Sequence, residues 1–331
     1  MNAQTLRLGS RRSPMAVAQS GDVARLITER TGRQVEIVGV TTLGDVSREH
    51  VTQIGGTGVF VSALRESLLR GEVDFAVHSL KDLPTGAAPG ITLAAVPARD
   101  DPRDALVGRD GAKLADLPAG ARVGTGSPRR AAQLTLLRGD ITCVPIRGNA
   151  NTRLAKVRDG ELDAVVLAYA GLARIGRTDV VSEIFEPEDM LPAPGQGALA
   201  VECRAADTEL AELFGMADHA ATRVAVTAER GLLAALEAGC SAPIGAYAVL
   251  TDRLHLDGVV LGVPGAAAPA GLKQAGGLDV AAGGGTIVVR ESGEADAADA
   301  ARLGRELAAR MLALGAADLI GAKTDRDDAH D

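Results

Sequence analysis

Arg7-Leu8-Gly9-Ser10-Arg11-Arg12-Ser13-Pro14 returns in kind as Arg122-Val123-Gly124-Thr125-Gly126-Ser127-Pro128, and this repetition decides the fold. Each copy reads as a short strand, a turn of small residues and a helix start, with serine suited to the N-cap and proline to the first helical position. A second pair follows in the same order: Gly71-Glu72-Val73-Asp74-Phe75-Ala76-Val77 and Gly160-Glu161-Leu162-Asp163-Ala164-Val165-Val166 each close a helix and open an apolar strand. Alternating strands and helices give a largely parallel sheet covered by helices. Two echoes in the same order predict two similar lobes; common capping chemistry without a common fold is the alternative.

Working outward, a strand at Thr5 to Gly9 leads into a helix that stops at Gly32, a residue suited to the C′ position. A strand over Val35 to Val40 precedes a polar, glycine-rich loop from Gly44 to Gly58. A helix from Val61 to Arg70 then delivers the strand Phe75 to His78. Pro97 to Asp104 is polar with two prolines, and Pro192-Ala193-Pro194-Gly195-Gln196-Gly197 is similar in texture, so the chain is expected to cross between lobes at both. The apolar Ala198 to Val201 would then rejoin the first sheet. Two crossings make a hinged cleft, and ligands of such folds sit at the carboxyl ends of strands, facing helix N-termini. From Thr222 the pattern becomes a helix to Leu236, strands at Ile244 to Leu250, Leu254 to Val260 and Thr286 to Arg290, and a helix from Ala295 to Leu314. That is a small α+β domain. The charged end, Thr324 to Asp331, is expected to be disordered.

Composition narrows the function. The 331 residues suffice for two or three domains, with 46% hydrophobic and 24% charged residues. Met1 to Arg7 shows no apolar signal region and no run reaches membrane-spanning length, so a cytoplasmic location without membrane contact is expected. Cys143, Cys203 and Cys240 lie far apart, which indicates neither a disulfide framework nor a metal site. A net charge of −8 argues against nucleic acid as a main partner, and 2% aromatics argue against a stacking site. No P-loop, no G-x-G-x-x-G after a strand, no H-E-x-x-H and no G-x-S-x-G is present. Nucleotide, zinc-hydrolase and serine-hydrolase readings lose support accordingly.

Basic groups gather at the helix starts: Arg11, then Arg129-Arg130, then Arg147-Gly148-Asn149-Ala150-Asn151-Thr152-Arg153. Helix N-termini favour anions and arginine forks match carboxylates or phosphates. An acidic protein with this distribution expects a polyanionic small molecule. Ala76-Val77-His78-Ser79-Leu80-Lys81-Asp82-Leu83-Pro84 runs a buried strand into a lysine and a carboxylate. Asp82 can stabilise a developing cation or carry a proton, and Lys81 can hold an anion; capping the turn before Pro84 is the alternative for Asp82, and His78 reads as a residue that packs or bonds locally. In Glu237-Ala238-Gly239-Cys240-Ser241-Ala242-Pro243-Ile244-Gly245 a lone thiol sits in a tight loop suited to an attachment point. No neighbouring group activates it, and free cysteines are commonly small buried apolar residues.

These residues together resemble the hydroxymethylbilane synthase (porphobilinogen deaminase) family of tetrapyrrole biosynthesis, from about Leu6 to Leu319. The resemblance is carried by Ser10 to Pro14 with Gln19, Gly55-Gly56-Thr57-Gly58-Val59-Phe60, His78 to Pro84, Asp101-Pro102-Arg103-Asp104-Ala105, Gly124 to Arg130, Arg147-Gly148-Asn149, Pro194 to Ala198, and Gly239 to Gly245. It implies two α/β lobes of periplasmic-binding-protein type II with mixed, mostly parallel sheets around a cleft, plus a small α+β C-terminal domain. Domain 1 would comprise residues 1–98 and 198–218, domain 2 residues 102–193, and domain 3 residues 220–323, with 324–331 as a tail. It implies a dipyrromethane cofactor joined as a thioether to Cys240, with no metal and no nucleotide. Four porphobilinogens are then joined head to tail, each losing ammonia, and water releases linear hydroxymethylbilane.

By position, the resemblance makes Asp82 the catalytic carboxylate, stabilising the cation left when ammonia departs. Arg11, Lys81, Arg129, Arg130, Arg147 and Arg153 would bind cofactor and substrate carboxylates, supplemented by Ser13, Gln19, Ser79, Thr125, Ser127, Gly148 and Asn149. Arg174 and Gln196 fall at further family positions, and Phe60 would pack against a pyrrole ring. A monomer is implied, passing its product to uroporphyrinogen-III synthase. Departures are Thr57, where many members have lysine, Leu43, near which many have a basic residue, and Gly126 and Pro128, where some have serine and leucine. A non-catalytic two-lobed carboxylate receptor is the competing reading and leaves Cys240 and the third domain unexplained; a nicotinamide-dependent oxidoreductase lacks its glycine fingerprint.

Overall fold

The computed structural model describes residues 5–40, 58–237, 242–262, 278–280 and 287–321. The chain divides into two compact units, Met1–Asp101 with Gly195–Arg223, and Pro102–Pro194 with Val224–Asp331.

In the first unit β1 (Leu6–Ser10) runs into α1 (Pro14–Thr31) through a turn that the local sequence explains. Ser13 is the N-cap, its Oγ accepting from the Ala16 N–H at 3.3 Å, and Gly32 closes the helix at φ +70°. Then come β2 (Val35–Gly39), α2 (Gly58–Leu69), β3 (Phe75–Ser79), a single 3₁₀ turn (Leu80–Asp82) and β4 (Ile91–Ala95). After the second crossing the chain re-enters the same sheet as β10 (Leu199–Arg204), giving the order β2-β1-β3-β10-β4. β1 is parallel to both neighbours, and β10 is antiparallel to both of its own. One face buries Leu6, Leu8, Val23, Ile27 and Phe75 with Phe214 of α6 (Thr208–Gly215), the two rings 4.6 Å apart.

The second unit repeats the plan. β5 (Asp104–Gly108), β6 (Arg122–Gly124), α3 (Pro128–Leu137), β7 (Thr142–Val144), α4 (Ala150–Arg158), β8 (Ala164–Ala168), α5 (Tyr169–Arg174) and β9 (Glu183–Ile184) form a sheet in the order β7-β6-β8-β5-β9. β6 matches β1 in the first sheet, and β5 occupies the antiparallel place of β10. Pro97 to Asp104 reads as polar linker, yet Asp104 opens a strand whose five residues are all buried. The aspartate is tolerated there because two arginines neutralise it, as described below.

The C-terminal part is α+β. α7 (Ala220–Ala235) precedes the antiparallel sheet β11 (Ile244–Leu250), β12 (Leu254–Leu261), β13 (Leu278–Val280) and β14 (Ile287–Ala295), ordered β11-β12-β14-β13, then α8 (Ala300–Ala313) and α9 (Ala316–Gly321). β14 runs past the expected Arg290 because it pairs along the whole of β12. Helix and sheet share a core of Leu232, Leu256, Leu303, Leu307 and Met311. The residues 44–57, the Cys240 loop and the charged tail 324–331 lie outside the described residues. Among the described residues no helix is long and apolar enough to cross a membrane.

Candidate active site

In the first unit a pocket of about 140 Å³ is lined by Arg11, Ser13, Gln19, His78, Ser79 and Asp82, among others. Its residues converge because β1 and β3 are parallel neighbours, so both strands end on the same edge of the sheet. Arg11 and Ser13 leave the end of β1, Ser79 closes β3, and Asp82 stands on the 3₁₀ turn that follows without a break. Fully buried Leu80 pins that turn, its N–H donating to the Ala198 carbonyl at 3.0 Å and its carbonyl accepting from Leu83 at 3.1 Å. Gln19, buried in α1, donates from Nε2 to Ser79 Oγ at 2.8 Å. Beside them Lys81 Nζ donates to Gln196 Oε1 at 3.2 Å, and the Gln196 carbonyl accepts from Arg99 Nε at 2.7 Å.

Beneath the pocket lies an ion cluster that the sequence reading missed. Arg65 of α2 holds Glu202 of β10 with both prongs of its fork, at 2.9 and 2.7 Å. His78 Nε2 lies 3.3 Å from the same carboxylate, off the line of an aligned N–H donor. Burial alone would raise the Glu202 carboxyl pKa; hydrogen bonds and charge from His78 and Arg65 outweigh it and hold the group at about 2. The available signal was a glutamate inside the apolar run Leu199 to Cys203. His78 is buried beside Glu202 without an aligned hydrogen bond from Nε2.

In the second unit β6 and β7 end side by side, with Thr125 N–H donating to the Val144 carbonyl at 3.0 Å. A Cβ on Gly126 would lie 2.7 Å from the Ile146 carbonyl oxygen, so the two turns approach more closely than a serine there would permit. Ser127 caps α3, its Oγ accepting from Arg130 N at 3.4 Å, and Asn149 caps α4, its Oδ1 accepting from Thr152 N at 2.9 Å. Thr125 Oγ1 accepts from Ser127 N at 3.2 Å, and Arg153 Nε donates to the Gly148 carbonyl at 2.9 Å. Two helix N-termini thus open together, with arginines around them. Arg147 is exposed and Arg174 half-buried in the last turn of α5.

Arg129 and Arg130 are buried rather than displayed. Asp104, fully buried, accepts from Arg129 Nη2 at 2.7 Å and from Arg130 Nη2 and Nε at 2.8 and 3.1 Å. Burial disfavours the Asp104 carboxylate, but the two guanidinium charges and their hydrogen bonds win and hold its pKa well below the usual carboxylate range. Burial, and then the charge of Arg130, lower the pKa of Arg153, which marks the two arginines as electrostatic neighbours. Two guanidinium cations face one carboxylate here, and Arg153 adds another cation. The arrangement suits a ligand carrying several carboxylates.

The comparisons with known proteins agree. The porphobilinogen deaminase dipyromethane cofactor binding domain matches residues 6–212, and the porphobilinogen deaminase C-terminal domain matches residues 223–313. The chain belongs to the porphobilinogen deaminase family. Porphobilinogen deaminase of Thermobifida fusca is 57% identical over 97% of each chain. Porphobilinogen deaminase 1 of Streptomyces coelicolor is 55% identical over 98% of this chain and 99% of that one. Among solved structures, the periplasmic VFT2 domain of Bordetella pertussis BvgS is 20% identical, covering 64% of this chain and 86% of that chain, with a TM-score of 0.40.

Porphobilinogen deaminases carry a dipyrromethane, a group rich in carboxylates, and the cation excess around Arg130 and Arg153 fits it. The expected attachment residue Cys240, the departure Thr57 and the side chain of Phe60 lie outside the described residues.

Proposed function

We propose that this chain is a hydroxymethylbilane synthase, joining four porphobilinogens head to tail with loss of ammonia and releasing the linear tetrapyrrole with water. The observation that carries the reading is Asp82, held by a pinned turn at the end of β3 in a pocket shared with Arg11, Ser13 and Ser79. Each porphobilinogen brings an acetate and a propionate. Arg11 and Lys81 bind such carboxylates, and Ser13, Ser79 and the Gln19 amide orient them. The carbon–nitrogen bond of the substrate's protonated aminomethyl group breaks, and nitrogen leaves with the electron pair as ammonia. Positive charge stays on the pyrrole, where the Asp82 carboxylate stabilises it. When bound, the dipyrromethane, joined to Cys240, supplies the pyrrole carbon on which successive units are added. Arg130, Arg147 and Arg153, with Thr125, Ser127 and the N–H groups near Gly148 and Asn149, hold the carboxylates of the lengthening chain, and Arg174 and Gln196 are further binding residues in this reading.

The protein is further read as a cytoplasmic monomer of three domains, with residues 1–98 and 198–218, 102–193, and 220–323 as their bounds. Its product is unstable and must be taken up by a cyclising enzyme of the uroporphyrinogen-III synthase type. Incubation of the purified protein with porphobilinogen tests the activity. Ammonia and hydroxymethylbilane released in a ratio of four to one support it, and binding of porphobilinogen without turnover would move the protein to the carboxylate-receptor class.

A further inference from the structure

Adjacent in sequence, Arg129 and Arg130 face different tasks. Arg129 is 3% exposed, and its Nη1 donates to the Leu191 carbonyl at 2.6 Å while Nη2 holds Asp104. Its Nε is buried without a hydrogen-bond partner among the described residues. Leu191 is gripped a second time by Gln133, whose Oε1 accepts from Leu191 N at 2.8 Å and whose Nε2 donates to the Leu191 carbonyl at 3.1 Å. The Leu191 side chain packs with Ala132, Val259 and Leu261. Arg129 is therefore committed to the interior, joining β5 to the segment that leads out of this unit. Arg130 instead places Nε and Nη2 on the other oxygen of Asp104, rests Nη1 on the Val166 carbonyl at 3.2 Å, and lies in the electrostatic reach of Arg153.

We propose that Asp104 is a positioning residue for carboxylate binding: one buried carboxylate, split between an anchored Arg129 and its neighbour Arg130, fixes the direction of the Arg130 fork. The inference rests on the reading of the arginine site given above. It reassigns Arg129 from ligand contact to anchor. Two like charges cannot stay adjacent in a buried place without a shared counter-ion, and a bidentate fork is useful only when its plane is held. Asp104 meets both needs through its two oxygens.

The test uses Asp104→Asn, Asp104→Glu, Arg130→Gln and the doubles with Arg130→Gln in the full chain. The cofactor-free proteins are titrated with porphobilinogen, and the fraction carrying two pyrrole units is read by intact mass, beside kcat, KM and the urea midpoint. Asp104→Glu keeps the charge and moves it by one methylene. It should fold and need about tenfold more porphobilinogen for half-loading, and this effect should shrink to less than about twofold when Arg130 is already Gln. If Asp104→Asn fails to fold, Asp104→Glu decides. Wild-type loading by a folded Asp104→Glu, or effects that multiply in the double variant, would overturn the proposal. Unchanged loading by Arg130→Gln alone would instead overturn the reading of the arginine site.

Discussion

Asp74 Oδ2 accepts the backbone N–H of Arg7 at 2.8 Å, and the Asp74 N–H returns to the Arg7 carbonyl at 2.8 Å. Asp163 and Arg122 make the same exchange at 2.8 and 2.9 Å. In each lobe the aspartate follows a left-handed glycine, Gly71 at φ +71° and Gly160 at φ +79°, and ties the entry of one strand to the start of its parallel neighbour. Asp74→Ala and Asp163→Ala should each lower the unfolding free energy by about 1–3 kcal/mol in urea titrations. Each carboxylate also meets a guanidinium, Asp74 that of Arg7 at 2.8 Å and Asp163 that of Arg109 at 3.2 Å, and the loss should be greater at Asp74, whose pair is closer and less exposed. No loss at either site would make the echo a coincidence of capping.

Glu202 gives the first lobe a pH-dependent bond. Its carboxyl pKa falls from the usual 4.5 to about 2 in the fold, so the stabilisation is fully present above pH 4.5 and is lost as pH falls from there towards 2. Glu202→Gln should cost about 3 kcal/mol at neutral pH by stranding Arg65. The gap from wild type, measured by urea unfolding, should close progressively below pH 4.5. A gap that is constant with pH contradicts this account.

Two glycines should respond in opposite directions. Gly197, at φ +86°, would place a Cβ 2.5 Å from the Asp100 carbonyl oxygen, and Gly197→Ala should lose about 2 kcal/mol or more. Gly21 sits inside α1 with nothing within 4 Å of a new Cβ, and Gly21→Ala should gain about 0.5–1 kcal/mol. Scanning calorimetry of both variants checks the pair.

Asp82→Asn should keep the pocket's shape and its carboxylate-binding groups while losing nearly all turnover, because an amide cannot stabilise the pyrrole cation as a carboxylate does. Steady-state kinetics should show kcat falling about 100-fold or more with KM changed little. Unchanged kcat would remove Asp82 as the key carboxylate.

Short-range chemistry made much of this fold legible. Ser13, Ser127 and Gly32 act within a few residues of themselves, and the return strand after Gly197 shows as an apolar run. What escaped depends on distant partners. Asp104 looked like linker because its counter-charges stand 25 and 26 residues away, and Glu202 went unread because Arg65 is 137 residues away. The strand β4 was unread for a related reason: its burial depends on β10, the neighbour supplied after the second crossing. Arg129 shows the limit of reading roles from type and spacing, since an arginine at a helix start serves equally as ligand contact or as interior anchor.

The central claim is a covalently primed synthase, and the intact mass of the purified protein beside Cys240→Ala tests it most directly, with acidic dimethylaminobenzaldehyde as the colour test for pyrroles. The account predicts wild-type protein heavier than its bare chain by two pyrrole units and colour-positive, with Cys240→Ala at the mass of the bare chain. Both proteins at the bare-chain mass after incubation with ample porphobilinogen would contradict it.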